Sequence, residues 1–271
     1  SLDLTGLPPK PEDVATYAAS PTDDTYAELV EKYLETPHYG ERMAMYWLDL
    51  VRYADTNGYH SDEPRSVFPY RDYIIKAFNE NKPFDQFTIE QLAGDYRPNA
   101  TLEQKVASGY NRMNQITAEG GAQPKEYRAI YNADRVRTTA SVWLGATMGC
   151  AQCHDHKFDP YSIKDFYSFA AFFADIEEKE VYGSGGVWEP YLELPTAEQT
   201  AERESLHAEI AALNTKIATP TEDLFWAQWN WEEETRSVLA GVERGKGWSP
   251  MKPDRPRSNG GATLEVLEDY S

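Results

Sequence analysis

The two cysteines of this 271-residue chain stand in one run, Gly149-Cys150-Ala151-Gln152-Cys153-His154-Asp155-His156. Two thiols three positions apart, followed at once by an imidazole, make C-x-x-C-H, the pattern of covalent haem c attachment. In that chemistry Cys150 and Cys153 form thioethers with the two vinyl groups of one haem, and His154 lies beneath the iron as proximal ligand. Two other chemistries use the same residue types. Zinc takes tetrahedral sulfur and nitrogen ligands, which Cys150, Cys153 and either His154 or His156 would supply, although no second C-x-x-C completes the usual set. A redox disulfide is the other, but such motifs normally follow a strand in a βαβ setting, whereas the residues before Cys150 read as helix.

If haem is bound, the second ring nitrogen of His154 is expected to donate to a carboxylate or carbonyl that fixes its tautomer. The sixth iron position has several candidates: His60 first, then His38, His156 and the thioethers of Met113 and Met148. His156 lies two residues from His154, so on a regular helix the two rings point apart and cannot clamp one iron. His156 and Asp155 are instead candidate proton-transfer residues, together with Asp55 from a cluster of alternating charge, Asp49, Arg52, Asp55, Asp62, Arg65, Arg71 and Asp72. The plainer reading of that cluster is an ion-pair network, just as His207 beside Leu206 reads as a surface residue.

Helices must position these groups. Ser20-Pro21 predicts a helix start, with Tyr26, Leu29, Val30, Tyr33 and Leu34 on one stripe and Pro37 past its end. Met43, Tyr46, Trp47, Leu50, Val51 and Ala54 predict a second helix over 40–54. Turn formers make 55–69 a long loop, the kind that is often functional. Further helices are expected from Tyr70 to before Pro83, over 84–93, and after the Thr101–Gln104 capping box. Pro124 sits at a first helical position and opens a long helix expected to deliver Cys150, and Ser162–Asp165 is a second capping box. Gly, Ser and Pro enrichment over 181–195 predicts a boundary. Leu206, Ile210, Leu213 and Ile217 then form a two-heptad seam, and Trp226, Trp229 and Trp231 follow. Thr263 to Glu268 alternates like a strand without a sheet.

The balance of 45 acidic against 26 basic residues gives a net charge of −19, which argues against nucleic acid as a partner, because phosphate binding needs clustered Lys and Arg, and leaves cationic partners or calcium open. The longest purely apolar run, Phe169 to Ala174, is too short to span a bilayer. No basic-then-apolar export signal precedes Ser1, so the start reads as a cut or matured end.

Many ordered blocks share a resemblance. They include Leu2-Asp3-Leu4-Thr5-Gly6-Leu7-Pro8-Pro9, His38-Tyr39-Gly40-Glu41-Arg42, Arg52-Tyr53-Ala54-Asp55, Tyr70-Arg71-Asp72-Tyr73, Pro83-Phe84-Asp85-Gln86-Phe87, Glu119-Gly120-Gly121, and Trp143-Leu144-Gly145 running on through the cysteine motif to Asp159-Pro160. Over roughly its first two-thirds the chain resembles the planctomycete cytochrome-associated domain of unknown function. That resemblance implies an internal segment of a large exported protein, of a kind that often carries a separate cytochrome c-type domain upstream and a conserved-unknown or sugar-binding-like domain downstream. It supplies no assigned reaction.

The expectation is therefore a mainly α fold. A multi-helix haem c domain occupies 1–180, a linker 181–196, a helical hairpin or short coiled coil 197–240, and an extended, terminally β segment 241–271 leads to a further domain. The module would pass electrons to a redox partner or adjoining cytochrome domain, in the periplasm or at the cell surface. The alternatives are a haem-dependent oxidoreductase acting at a vacant iron face on a substrate such as carbohydrate, and a zinc-stabilised scaffold.

Overall fold

A computed structural model describes residues 1–60, 62–183 and 188–241. Eleven α-helices are present among them: α1 Leu2–Thr5, α2 Pro11–Ala19, α3 Asp23–Leu34, α4 Pro37–Leu50, α5 Phe68–Asn79, α6 Phe84–Ala93, α7 Leu102–Ala107, α8 Pro124–Leu144, α9 Ile163–Ala170, α10 Ala197–Ala218 and α11 Glu222–Gly241. Short 3-10 turns cover Ser108–Arg112, Met148–Gln152 and Ala171–Phe173. No sheet forms among the described residues; three isolated bridges pair Thr56 with Pro64, Gly58 with Ile116, and Thr117 with Val181. The expected terminal strand over 263–268 lies outside the described residues.

The chain divides into two units, Ser1–Glu193 and Leu194–Ser271. In the first, α8 is the spine. Its 21 residues span about 30 Å at 1.5 Å per residue, and it packs on three apolar clusters. Trp143 and Val142 pack against the cluster of Ala44, Val51, Tyr70, Ile74, Phe87 and Tyr110. Ala133, Val136 and Ala140 join Met148, Ala151, Phe166 and Phe173. Tyr131, flanked by Tyr127 and Ile130, meets Ile116, Tyr182 and Trp188. The Gly-, Ser- and Pro-containing stretch after 180 thus belongs to the first unit: Tyr182 is 3% and Trp188 9% exposed, and Trp188 Nε1 donates to Pro64 O at 3.2 Å.

Several elements depart from expectation for local reasons. Pro37 opens α4 at its first turn rather than trailing α3, since a proline ring suits either side of a helix boundary. The first capping box of that region is Thr22 with Thr25, two residues beyond the expected start. The buried face of α4 carries Gly40 and Ala44 with Trp47 and Leu48, leaving Tyr46 and Leu50 about half exposed. α8 stops at Leu144, where Gly145 takes the left-handed conformation (φ 58°), so Cys150 sits on a separate turn.

In the second unit α10 opens on a Thr196–Gln199 capping box and buries none of its residues. The seam side chains Leu206, Ile210, Leu213 and Ile217 remain 49–81% exposed. Among the described residues no helix is long and apolar enough to cross a membrane.

Candidate functional site

After Gly145 the chain folds back, with Ala146 N donating to Ala140 O at 3.0 Å, and enters the turn Met148–Gln152. In a 3-10 turn side chains three apart eclipse. Met148 and Ala151 therefore share the buried face, while Cys150 within the turn and Cys153 at its C-cap are both free and exposed. The apolar residues at 148 and 151 thus fix which way the cysteines point. Cys153 N and His154 N both donate to Cys150 O, at 3.3 and 3.4 Å. Arg137 of α8 packs 3.3 Å from where a side chain on Gly149 would begin and donates to Gln152 Oε1 at 3.3 Å. The Tyr167 hydroxyl of α9 donates to Gln152 O at 3.1 Å.

His154 Nδ1 lies 2.8 Å from Asp155 O. A carbonyl only accepts, so Nδ1 carries the proton and the Nε2 lone pair is left for a metal. Asp155 is held in turn, its Oδ1 accepting from Ile163 N at the first position of α9 at 2.8 Å. There Ser162 and Asp165 cap the helix reciprocally, and hydrogen bonds from the Ser162 hydroxyl and backbone N–H hold the Asp165 carboxyl below its ordinary range. His156 is committed differently. Its Nδ1 accepts from Phe158 N at 3.3 Å and Asp159 N at 2.9 Å, while its backbone N–H donates to Tyr161 O at 2.8 Å. The neutral ring thus carries its proton on Nε2 and serves as the hub of loop 154–161.

The remaining sequence candidates lie elsewhere. Met113 is buried in the first apolar cluster and Met148 beneath the turn. His38 bonds Glu41 at 2.8 Å near the start of α4. His60, in a left-handed conformation with φ 45°, is carried by the loop whose Tyr59 stacks edge-on against Tyr127 at 6.1 Å. That point on α8 is ten residues, 127 to 137, or about 15 Å of axis, before Arg137. Asp55 accepts from the Tyr53 hydroxyl at 2.6 Å; burial first, and then this bond, push the Tyr53 phenol up. No described hydrogen bond or ion pair joins Asp55 or His60 to the cysteine loop.

The charge cluster is likewise not one network. Arg52, at φ 62°, pairs with Asp134 of α8, Arg71 pairs with Asp72 at 2.9 Å, and Arg65 is spent on the carbonyls of Asn114 and Arg112. Asp62 accepts from Gly58 N at 2.9 Å. Among the described residues no three His, Cys, Asp or Glu side chains gather to hold a metal ion.

The family model PSCyt2, a protein of unknown function (DUF1549), matches residues 1–178. The chain belongs to that family. The PSCyt2 match takes in all of α1 to α9 and the whole cysteine loop. No curated protein and no solved structure matches the chain.

Sequence reasoning did not find Arg137, Gly149 and Tyr167 as the residues that frame the turn. Arg137 and Tyr167 lie one turn or more away in sequence, on helices whose rotation decides which side chains meet the loop. Gly149 carried a signal, since a glycine before Cys150 leaves room for a close neighbour.

Proposed function

We propose that this PSCyt2 chain binds one haem c through Cys150 and Cys153, with His154 as proximal ligand, and passes electrons within a larger exported protein. One observation carries the reading: two free, exposed thiols stand within and at the end of one short turn while the adjoining imidazole bonds Asp155 O through Nδ1 and keeps Nε2 open. Zinc is less well served, because a closed site needs a fourth ligand and His156 spends Nδ1 on backbone N–H groups. Bound there, haem supplies reversible one-electron redox chemistry at a potential set by burial and axial ligation. The chain's own residues do the positioning. Met148 and Ala151 orient the turn, Asp155 O holds the His154 tautomer, and the Asp155 carboxylate ties that carbonyl to the start of α9. Thioether attachment outside the cytoplasm accords with a periplasmic or surface location.

The test is the visible spectrum and intact mass of full-length protein from a host that matures c-type cytochromes. A reduced spectrum of haem c type and a covalent mass increment of one haem are expected, the increment lost in Cys150→Ser/Cys153→Ser. A colourless preparation overturns the reading, and stoichiometric zinc in it would select the scaffold.

A second reading has one observation in its favour: of the sixth-ligand candidates, Met113 and Met148 are buried in apolar clusters, His38 bonds Glu41, His156 accepts two backbone N–H groups, and no described bond joins His60 to the cysteine loop. This supports an oxidoreductase working at a vacant iron face on a substrate such as carbohydrate. Prompt spectral change of the reduced protein under carbon monoxide selects it; an unchanged spectrum selects electron transfer.

A further inference from the structure

We propose that Tyr110, Trp143, Trp47, Tyr70 and Tyr73 form a hole-conducting chain through the first unit, running from the end of α8 that precedes the Cys150 turn to the Glu90 carboxylate in a surface cleft. The links are direct. Tyr110 meets Trp143 at 4.9 Å between ring centres, and Trp143 meets Trp47 at 5.4 Å. Trp47 Nε1 reaches the Tyr70 hydroxyl at 3.4 Å, and Tyr70 lies 6.5 Å from Tyr73. Every member is an indole or phenol, the side chains that give up one electron most readily after thiols. Phe87, which cannot do so at comparable potential, lies beside the chain against Trp47 and Tyr73 without interrupting it.

The hydrogen bonds give the chain a direction. Tyr110 pairs with Thr139, Trp143 donates to Thr88, and Trp47 and Tyr70 both donate to Gln91 Oε1. These neutral acceptors are poor proton takers, so oxidised Trp47 and Trp143 persist as radical cations and pass the charge on. Tyr73 alone donates to a carboxylate, Glu90 Oε2, at 2.9 Å. Burial pushes that carboxyl up, but hydrogen bonds from Lys82, Gln86 and Tyr73 outweigh it and hold Glu90 at about 2, fully ionised. The Lys82 ammonium sits over the Tyr73 ring at 4.7 Å, which disfavours a cationic ring and so makes proton loss the only route to oxidation.

The step balances as follows. Tyr73 gives one electron through Tyr70 to oxidised Trp47, and its phenolic proton passes to Glu90. This leaves a neutral tyrosyl radical, a carboxylic acid and restored Trp47. The step needs a one-electron oxidant strong enough to oxidise an indole; in the test below it is a photogenerated ruthenium(III) complex, which takes the electron and returns to ruthenium(II). The radical comes to rest beside a cleft of about 410 Å³ bordered by Lys82, Gln86, Glu90, Glu103 and Gln104, where a reductant in solution can quench it. The conduit does not rest on the haem reading, because a ferric haem c is too weak an oxidant to start it.

The experiment places the oxidant at the motif without haem. A ruthenium polypyridyl photosensitiser is attached to Cys150 of the full chain carrying Cys153→Ser, flashed with a sacrificial acceptor and freeze-trapped for electron paramagnetic resonance. A neutral tyrosyl signal is expected, falling several-fold in Tyr73→Phe and in Trp47→Phe. No tyrosyl signal, or an undiminished one in either variant, overturns the conduit. Should Trp47→Phe fail to fold, Tyr73→Phe decides, since it removes one hydroxyl from an otherwise unchanged ring. Failure here leaves the pigment test untouched, and a colourless protein leaves this one untouched.

Discussion

His156 accepts two backbone N–H groups on one ring nitrogen, and this changes what the residue is for. Truncation to Ala hands Phe158 N and Asp159 N to water in an exposed loop, so the expected loss is about 1 kcal/mol, the net worth of an ordinary hydrogen bond. His156→Asn keeps an acceptor near the Nδ1 position and should recover most of it; urea unfolding of the three proteins checks the order. Asp155 and His156 were legible in the sequence as polar residues beside the thiols, but not as loop supports. Their partners are main-chain groups of residues 158, 159 and 163, placed there only once Asp159-Pro160 turns the chain. Glu90 makes a second residue-level prediction. Its folded-state value of about 2 lies below its ordinary 4.5, so its contribution is complete above that ordinary value and drains away as pH falls through the folded one. On the order of 2 kcal/mol is at stake once screening through the cleft is allowed for. Unfolding free energy measured from neutral pH down to strongly acid pH should fall less steeply in Glu90→Gln than in the parent.

At the level of elements, the close crossing of α4 and α5 depends on Gly40. A methyl group there would stand 2.4 Å from Ile75 O, a backbone atom that moves only if α5 moves. Gly40→Ala should cost roughly 1–3 kcal/mol by overpacking, against about 1 kcal/mol for Ser162→Ala at the α9 cap. Thermal unfolding that ranks the two the other way would mean that the α4–α5 crossing yields easily. The helices were legible because they are punctuated: the Thr101 and Ser162 capping boxes and Pro124 at a first turn stand where the sequence places them. Rotation about each axis was less so. The stripe of α4 admits two apolar faces, and the small residues Gly40 and Ala44, silent in a hydrophobic count, decide that Tyr46 and Leu50 turn outward. Arrival at Cys150 was misplaced for a similar reason, since Gly145 ends α8 by a left-handed turn that apolar periodicity does not register.

For the molecule as a whole, the question is how much chain the candidate site needs. All three apolar clusters and the cysteine loop lie within residues 1–193, whereas composition alone sets the boundary near 180. The structure gives a reason to distinguish the two lengths. Tyr182 and Trp188 close the third cluster over Ile116 and Tyr131, Tyr182 N donates to Thr117 O at 2.9 Å, and Arg112 reaches the Tyr182 hydroxyl at 2.7 Å. Losing a buried aromatic of this size typically costs 3–5 kcal/mol, a large share of the 5–15 kcal/mol that holds a domain together. A fragment of residues 1–193 should therefore unfold cooperatively and take up pigment as the full chain does. A fragment of residues 1–180 should be markedly less stable and retain less pigment, because α8, the spine that packs against the cysteine turn, loses the cover of its first turns. Equal denaturation midpoints for the two fragments would show that the segment beyond 180 is a tether, and that the stability of the site comes from the first two clusters alone.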